Sequence, residues 1–551
     1  MNRARHHSAR ILVGIGAGAA VALVAGIAPA AAVDPADLDE RVTTDAVLVH
    51  LEQLQAVADA NGGNRAAGTP GYEASAAYIE AALTSAGYTP VRQYFDAALQ
   101  TIDAFSLAID GIIFDDDEDD DGTADPLGVP MEYTPGTPAG GLVDVPLIAP
   151  SAANGCSAAD WDGVDATGAI ALVSRGVCSF AEKSAAAAGA GAVAAIIYNN
   201  DVGPLEGTLG GQTPDLVPTV GILQSQGAEI LAAMEAGVVT ADLDLQQHID
   251  EIETFNVIAD TPTGRADNVV MLGAHLDSVE DGAGINDNGS GSAAILEVAL
   301  QLAASGELEN RVRFAWWGAE EIGLLGSAYY VDDLYNTGGD AALDTIATYL
   351  NFDMVASPNY VISVYDANES TYEAPVIVPE GSVATEAAFT DYFDASGQPW
   401  IDTAFDGRSD YDAFIRADIP ASGLFTGADD VKTAEQVALF GGTAGILMDP
   451  NYHTAADDIT NVNVEALGIM LGAIANVTAS LANDTSAING VVPIVDPVPV
   501  PAPAPDVTNE GEGYLAASGG TAPGGWIAAG VLAVLAGGLV VSRGALRRTR
   551  S

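Results

Sequence analysis

Apolar residues follow two different spacings along the chain. Over residues 45–60, and again over 72–86, they recur at helical spacing, which predicts two helices. From residue 269 they form a continuous run that ends at His275, which is typical of a strand buried in a parallel sheet, and a helix is predicted over 293–304. The glycine-rich loop over 61–71 lacks the GK[ST] ending of a phosphate loop, so we expect a structural or substrate-rim role for it.

Charged residues stand where three of these apolar runs end. His275 ends the first run, Glu320 and Glu321 follow VRFAWW over 312–317, and Asp353 ends TYLNFD over 348–353. Because ligands in open α/β sheets bind beyond the carboxyl ends of the strands, we expect these side chains at one crevice, with His453 added from a later loop. The sequence has no GxSxG, HExxH or P-loop motif, so the set predicts a metal cluster.

The composition places the chain among globular proteins and excludes one class of partner. Its 551 residues are 49% hydrophobic, enough for two or more domains with real cores. With 76 acidic and 18 basic residues the net charge is −58, and lysine occurs only at Lys183 and Lys432. A surface of this charge repels nucleic acid, so we exclude nucleic acid as a partner.

The amino terminus has the three parts of a secretory signal peptide. A basic start is followed by an apolar stretch over 11–27 and by small residues at Ala28, Ala30 and Ala32, so we predict export and cleavage near residue 32. A membrane anchor is the alternative, but the stretch is short for a spanning helix. In an exported protein Cys156 and Cys178 should form a disulfide.

The strongest charge run in the chain is DDDEDDDGTAD over 115–125. It places carboxylates at alternate positions around a glycine, a pattern used to wrap Ca²⁺ in short loops. A solvated acidic loop is the alternative, because the run lacks the final glutamate of an EF-hand. The candidate calcium ligands are Asp117, Asp119, Asp121 and Asp125.

The carboxyl end resembles a tether to the cell surface. A proline-rich tract within 485–514 predicts an extended spacer, and the segment 515–551 adds the pentapeptide LAASG, an apolar stretch and four arginines. The pentapeptide resembles signals cut by sortases, with Ser518 in place of the usual threonine, which implies sortase and the cell wall as partners. An ordinary membrane helix is the alternative, and release to the medium stays open.

Residues 131–245 change to short β-rich runs with prolines and glycines. Within them, the stretch that begins CSAADWDGVDATGAIALVSRG resembles the protease-associated domain of secreted and vacuolar peptidases. The resemblance implies an inserted binding module that acts as a lid or a wall of the substrate entrance.

The motifs around the charged strand ends are similar to those of secreted di-zinc aminopeptidases of the leucyl aminopeptidase and aminopeptidase Y type. They are HLDSV, GINDNGSG, WGAEEIGLLGS, NFDMVASPN, GRSD and YHT, in family order. The resemblance implies an α/β fold with a mixed, mainly parallel central sheet flanked by helices. The peptidase domain would then comprise 33–130 and 246–484, separated by the inserted module.

The resemblance also implies a role for each site residue, including a cis peptide after Asp287. Asp287 would bridge two zinc ions, with His275 and Asp353 completing one site and Glu321 and His453 the other. Glu320 would be the general base, Tyr452 an oxyanion donor, and Asp277 a hydrogen-bond partner that fixes the tautomer of His275. The implied substrate-binding residues are Arg408, Tyr411 and Phe425.

The implied reaction is removal of an amino-terminal residue, bulky and apolar, from peptides. We expect carboxylates beside the metals to hold the substrate's α-ammonium group, which favours a free amino terminus over a carboxyl terminus. A carboxypeptidase of the same superfamily is one alternative, because Arg408 could hold a carboxylate. A non-catalytic cell-surface binding protein is the other, although no ligand is missing from the sequence.

Overall fold

The computed structural model describes residues 32–494 apart from 115–126, 201–204, 206 and 212. The acidic run, nearly all of the predicted signal peptide and the predicted anchor lie outside these residues. The strands are β1 (Val91–Ile109), β2 (Ile112–Phe114), β3 (Gly128–Pro130), β4 (Leu142–Ile148), β5 (Ile170–Ser174), β6 (Ala194–Tyr198), β7 (Thr219–Ile222), β8 (Thr240–Asp260), β9 (Arg265–His275), β10 (Asn310–Trp317), β11 (Ile346–Phe352), β12 (Ser363–Tyr365), β13 (Ile401–Thr403) and β14 (Ala421–Phe425).

Helices connect the strands. They are α1 (Pro35–Arg41), α2 (Thr44–Ala60), α3 (Pro70–Ser85), α4 (Phe180–Gly189), α5 (Gln224–Ala236), α6 (Gly291–Leu302), α7 (Leu325–Gly338), α8 (Asp340–Leu343), α9 (Ser382–Ser396), α10 (Tyr411–Arg416), α11 (Ala434–Phe440), α12 (Val464–Asn483) and α13 (Ser486–Asn489). The predicted helices at 45–60, 72–86 and 293–304 correspond to α2, α3 and α6. Thr43 and Thr69 cap the first two, each accepting a hydrogen bond from a first-turn amide.

The central sheet is mixed and has β9 at its middle. Strand β9 is parallel to β10 on one side and to β11 on the other, and β11 is parallel to β14. Strand β8 runs antiparallel to β10 and continues as a long ribbon with β1. The predicted mixed, mainly parallel sheet flanked by helices is therefore confirmed.

Burial on both faces explains the continuous apolar run of β9. Val270 and Leu272 pack in one hydrophobic cluster with residues of α2, α6 and α12, whereas Met271 packs in a second cluster with Tyr349 and Phe414. Alternate side chains of a strand point to opposite faces, so a strand covered on both faces has no polar position. The run ends at His275, the carboxyl end of β9, where the strand leaves the sheet.

Residues 131–245, called the module below, form a smaller layer joined to the main sheet through β4 and β8. Strands β5, β6 and β7 are parallel neighbours and pack with α4 and α5. The predicted disulfide between Cys156 and Cys178 is present. Beside it, the buried Nζ atom of Lys183 donates hydrogen bonds to the carbonyls of Asn154 and Gly176 at 2.9 and 2.7 Å.

The carboxyl-terminal part of the fold differs from the prediction in one respect. Helix α13 lies against α9 and β11 with Ile488 buried, so the folded part extends beyond residue 484. Among the described residues, α12 is the one helix long and apolar enough to span a membrane, but 67% of its most apolar window is buried in the protein. Its apolar character is accounted for by packing against α1, α6 and α9.

Candidate metal centre and active site

The carboxyl ends of β9, β10 and β11 meet at one edge of the sheet. His275 is the last residue of β9, Glu320 and Glu321 follow β10, and Asp353 follows β11. Because the three strands are parallel neighbours, their ends bring these side chains together, as the sequence pattern predicts. His453 reaches the same place from the loop between α11 and α12.

Asp287 lies between the two histidines and presents one carboxylate oxygen to each. Its Oδ1 atom is 3.1 Å from Nε2 of His275, and its Oδ2 atom is 3.3 Å from Nε2 of His453. Asp353 Oδ1 lies 3.3 Å from Nε2 of His275, and Glu321 Oε2 lies 3.0 Å from Nε2 of His453. The five side chains therefore form two groups of three that share one carboxylate.

The donor atoms suit divalent cations of the zinc type. Imidazole nitrogens and carboxylate oxygens are ligands that zinc uses. Donor atoms of His275, Asp287 and Glu321 lie within 4.8 Å of one another, and so do those of His275, Glu320 and Asp353. Oε1 of Glu321 is buried and accepts no hydrogen bond from the described part of the chain. Buried carboxylate oxygens are costly without a partner, and a bound cation would supply one.

Mutual repulsion and burial disturb the ionisation of these side chains. Burial, with the charge of Asp287 added, raises the pKa of Glu321 to about 7. Burial lowers the pKa of a histidine, but the carboxylates of Glu320, Asp353 and Asp287 outweigh it and hold the pKa of His275 well above its usual value. The cluster therefore takes up positive charge, either as protons or as metal ions.

Asp277 has a different partner from the one predicted. Nδ1 of His275 is 3.1 Å from the backbone carbonyl oxygen of Asp277 and 3.9 Å from its carboxylate. The carboxylate instead accepts hydrogen bonds from the amides of Glu320 and Glu321, at 3.2 and 3.3 Å, because the turn after β10 points them inward. With the proton of His275 on Nδ1 and donated to the carbonyl of Asp277, the lone pair of Nε2 still faces Asp287 and Asp353.

Glu320 stands beside these two groups of side chains. Its Oε2 atom is 4.0 Å from Nε2 of His275, and its side chain is part of the cavity wall. Burial raises the pKa of Glu320 well above its usual value, and the neighbouring carboxylates of Asp410 and Asp353 raise it further against the opposing effect of His275. A carboxyl group with a raised pKa can both accept and return a proton.

A cavity of about 440 Å³ opens beside the cluster. Arg408, Phe425 and Tyr452 contribute to its wall, together with Met354 and Met448. Tyr411 does not, so its predicted place in the substrate pocket is wrong. Its side chain is fully buried, its ring packs against Tyr365 and Phe405, and its hydroxyl donates to Asp406.

Asp429 is a cavity residue that the sequence reasoning missed. Its carboxylate accepts hydrogen bonds from Nη1 and Nη2 of Arg408 at 2.9 and 3.3 Å, and Nη2 also lies 3.5 Å from the hydroxyl of Tyr452. Asp429 follows β14, a fourth strand that ends at the same edge. Extending the strand-end rule to β14 would have found it.

Arg65, from the glycine-rich loop over 61–71, lies fully buried below the cluster. Its Nε and Nη2 atoms donate to the carbonyls of Ala283 and Gly284 at 2.8 and 2.6 Å, and Nη1 donates to the carbonyl of Leu276. Arg65 thus holds the loop that connects His275 to Asp287, which gives the glycine-rich loop a structural role.

Asp457 holds the Asp287 turn from the other side. Its two carboxylate oxygens accept hydrogen bonds from the amides of Asn286 and Asp287 at 2.8 and 2.9 Å. Asp457 belongs to the loop that also carries Tyr452 and His453. The cis peptide expected after Asp287 is present between Asp287 and Asn288.

Comparison with known proteins places two family models on the chain. The model of Peptidase family M28 matches residues 256–478, and the model of the PA domain matches residues 143–230. The second match lies within the module and supports the resemblance of that segment to protease-associated domains.

Relatives match most of the chain. The Probable lipoprotein aminopeptidase LpqL of Mycobacterium tuberculosis is 44% identical over 474 residues, which cover 85% of this chain and 91% of that protein. Leucine aminopeptidase 2 of Trichophyton tonsurans is 41% identical over 447 residues, covering 81% of this chain and 86% of that protein.

Solved structures show the same fold. An aminopeptidase from Aneurinibacillus sp. strain AM-1 superposes with a TM-score of 0.63 at 27% identity, covering 84% of this chain and 98% of that one. BSAP, a zinc aminopeptidase from Bacillus subtilis, superposes with a TM-score of 0.55 at 25% identity, covering 81% of this chain and 98% of that one.

Proposed function

This chain belongs to peptidase family M28 and is a zinc aminopeptidase, and we propose that it releases amino-terminal residues at two zinc ions that share Asp287. The observation that carries the two-ion proposal is the position of Asp287, whose two oxygens face two separate groups of ligands. His275 and Asp353 would complete one site, and Glu321 and His453 the other.

The bound zinc ions would polarise the peptide carbonyl and lower the pKa of the attacking water. Glu320 lies at the cavity wall and would take a proton from that water and return it to the leaving amine. The hydroxyl of Tyr452, with Arg408 beside it, would donate to the developing oxyanion. Arg65 and Asp457 keep the ligand loops in place.

A free amino terminus suits this cavity better than a free carboxylate. The carboxylates of Glu320 and Asp353 line it and would hold the substrate's α-ammonium group. The cavity's arginine, Arg408, is already paired with Asp429, so its charge is neutralised. This pairing argues against the carboxypeptidase alternative, and the complete ligand set argues against a non-catalytic binding protein.

We propose a preference for a bulky apolar first residue. Phe425, Met354 and Met448 give the cavity an apolar wall beside the cluster. Such side chains favour a leucine-like residue over a charged one through the hydrophobic effect. The names of relatives such as Leucine aminopeptidase 2 of Trichophyton tonsurans are consistent with this preference.

One assay tests the proposed activity. The purified protein is given leucyl p-nitroanilide, its N-acetylated form and a carboxypeptidase substrate, with and without a chelator. We expect hydrolysis of the free-amine substrate alone, lost on chelation and restored by zinc. Cleavage of the carboxypeptidase substrate, or full activity after metal removal, would contradict the proposal.

Calcium binding by the acidic run is a separate proposal. Asp117, Asp119, Asp121 and Asp125 lie outside the described residues, so it rests on the alternating carboxylates and the glycine of the sequence. Calcium should raise the melting temperature by binding the folded state, and D119N with D121N should remove the rise. If millimolar calcium did not raise the melting temperature of the unsubstituted protein, the solvated acidic loop would be the supported interpretation.

We further propose that the enzyme is exported and held at the cell surface. The signal-like segment 1–32, the disulfide, and the spacer and apolar segment after residue 485 support this, and one relative is named a lipoprotein aminopeptidase. Sorting would leave a carboxyl terminus at Ser518 joined to the cell wall. Mass spectrometry of the terminus decides it, because intact Arg550 on detergent-extracted protein would indicate a membrane helix instead.

A further inference from the structure

The described residues of the module lie outside the cavity wall, so they give no support to a role as substrate wall. The cavity-lining residues all fall between His275 and Tyr452, and no described residue of 131–245 is among them. One residue of the module nevertheless contacts the active-site region. Tyr133 reaches the turn over 318–324, called the 318–324 turn below, which carries Glu320 and Glu321.

The 318–324 turn has a backbone that needs support from its surroundings. Ala319 and Leu324 adopt left-handed conformations with φ of 59° and 60°, which residues with a Cβ atom disfavour. The amides of Gly323 and Leu324 both donate to the carbonyl of Glu320, at 2.9 and 2.8 Å, which closes the turn tightly. Such conformations persist only where neighbouring groups fix them.

Neighbouring groups hold this turn from two sides. On the inner side, the carboxylate of Asp277 accepts hydrogen bonds from the amides of Glu320 and Glu321. On the outer side, the hydroxyl of Tyr133 donates to the carbonyl of Ile322, the residue directly after Glu321. The Tyr133 ring lies over Gly323, where an added Cβ atom would be 3.6 Å from the ring.

Tyr133 is itself anchored in the module and in the β1–β8 ribbon. It is 6% exposed and belongs to the same hydrophobic cluster as Met131, Trp161 and Ile197. The side chain of Gln100 in β1 accepts from the amide of Tyr133 and donates to the carbonyl of Thr134 at 2.8 Å. The Tyr133 hydroxyl also lies 3.1 Å from the carbonyl of Ala98. A shift of the module would therefore move the hydroxyl that holds Ile322.

We propose that Tyr133 is a positioning residue through which the module fixes the 318–324 turn, and with it the placement of Glu320 and Glu321. The inference rests on the proposed function of those two residues. It gives the module a role in setting the turnover rate rather than in admitting substrate. Tyr133 touches neither the cavity nor the ligand atoms, so its effect passes entirely through the turn.

The test is Tyr133→Phe, which keeps the buried ring and removes only the hydroxyl. The net free energy of one hydrogen bond corresponds to a factor of about three to ten in a rate or equilibrium constant. We therefore expect kcat to fall by about that factor while KM stays within about twofold. The rate at which zinc passes to a chromophoric chelator should rise by a similar factor, because Glu321 is a proposed ligand. This second measurement does not depend on turnover.

The matched control is Tyr88→Phe. The buried hydroxyl of Tyr88 donates to the carbonyl of Ala299 at 2.7 Å, away from the cavity, so this variant loses an equivalent bond without touching the turn. The inference is supported if the two variants have comparable melting temperatures and only Tyr133→Phe changes kcat and the rate of zinc release. Unchanged kcat and zinc release in Tyr133→Phe, or equal changes in both variants, overturn it. Failure of the proposed function would differ, because the unsubstituted enzyme would then lack zinc-dependent activity.

Discussion

Arg408 and Asp429 form an ion pair with two hydrogen bonds at the wall of the active-site cavity. Both side chains are about half exposed, at 48% and 42%, so the pair adds little to stability. Its effect is electrostatic. Asp429 compensates the positive charge of Arg408, the one arginine among the described residues of the cavity wall. The cavity therefore offers a substrate carboxylate no free cation among the described lining residues.

Replacing Asp429 by asparagine should change which substrates are preferred. The Asp429→Asn variant frees the charge of Arg408, so kcat/KM for leucyl-glycine relative to leucyl-glycinamide should rise by about three- to tenfold. Asp267→Asn is the control, because Asp267 pairs with Arg265 at the opposite end of β9. An unchanged ratio in Asp429→Asn would show that Arg408 does not sense the charge of the substrate.

Replacing Arg65 by methionine should weaken metal binding as well as stability. Three buried carbonyls, those of Leu276, Ala283 and Gly284, lose their donor, which should lower the free energy of unfolding by about 3 kcal/mol or more. The loop from His275 to Asp287 then loosens, so zinc affinity in a chelator competition should fall.

Lys183→Met is the matched control for Arg65. Lys183 is also a buried cation that donates to backbone carbonyls, but it lies in the module beside the disulfide. Its replacement should lower the melting temperature without changing zinc affinity. If the two variants bound zinc with equal affinity, Arg65 would have a structural role only.

The strand-end pattern predicted that the side chains at the strand ends lie together, because parallel neighbours end at one edge of the sheet. That rule located His275, Glu320, Glu321 and Asp353 without any side-chain information. The rule does not reach Tyr411, the first residue of α10, whose placement in the pocket came from the family resemblance and was wrong. The partner of Asp277 was also wrong, because its carboxylate faces amides of a turn whose conformation no local pattern encodes.

Residues that act through long-range backbone contacts were beyond the sequence patterns. Arg65 lies more than two hundred residues before the loop that it holds, with separations of 211 to 219 positions. Nothing about an arginine in a glycine-rich loop indicates that it will be fully buried. The role of Tyr133 has the same origin, since its contact with Ile322 spans 189 positions.

Replacing Glu320 by glutamine should separate the roles of base and ligand. One oxygen of Glu320 lies within 4.8 Å of donor atoms of His275 and Asp353, so the geometry also permits it to be a ligand. If Glu320 is the base, its replacement should lower kcat by about a hundredfold or more and leave the zinc content unchanged. Loss of zinc from Glu320→Gln would assign it as a ligand instead.

Glu297→Gln serves as the control for that substitution. Glu297 is a buried carboxylate of α6 that contacts His50 rather than the cavity, with Oε2 3.2 Å from the imidazole Nε2. Its replacement should leave both kcat and zinc content close to those of the unsubstituted enzyme. A similar loss of activity in this variant would mean that the effect of Glu320→Gln is not specific.

The most direct test of the shared site is the zinc content of Asp287→Ala beside Asp353→Ala at one buffered free zinc concentration. The unsubstituted enzyme should hold about two zinc ions per chain. Asp353→Ala should lose about one, because Asp353 serves one ligand group, and Asp287→Ala should lose both, because each group depends on one of its oxygens. Retention of both zinc ions by Asp287→Ala would contradict the bridging carboxylate and, with it, the proposed two-zinc site.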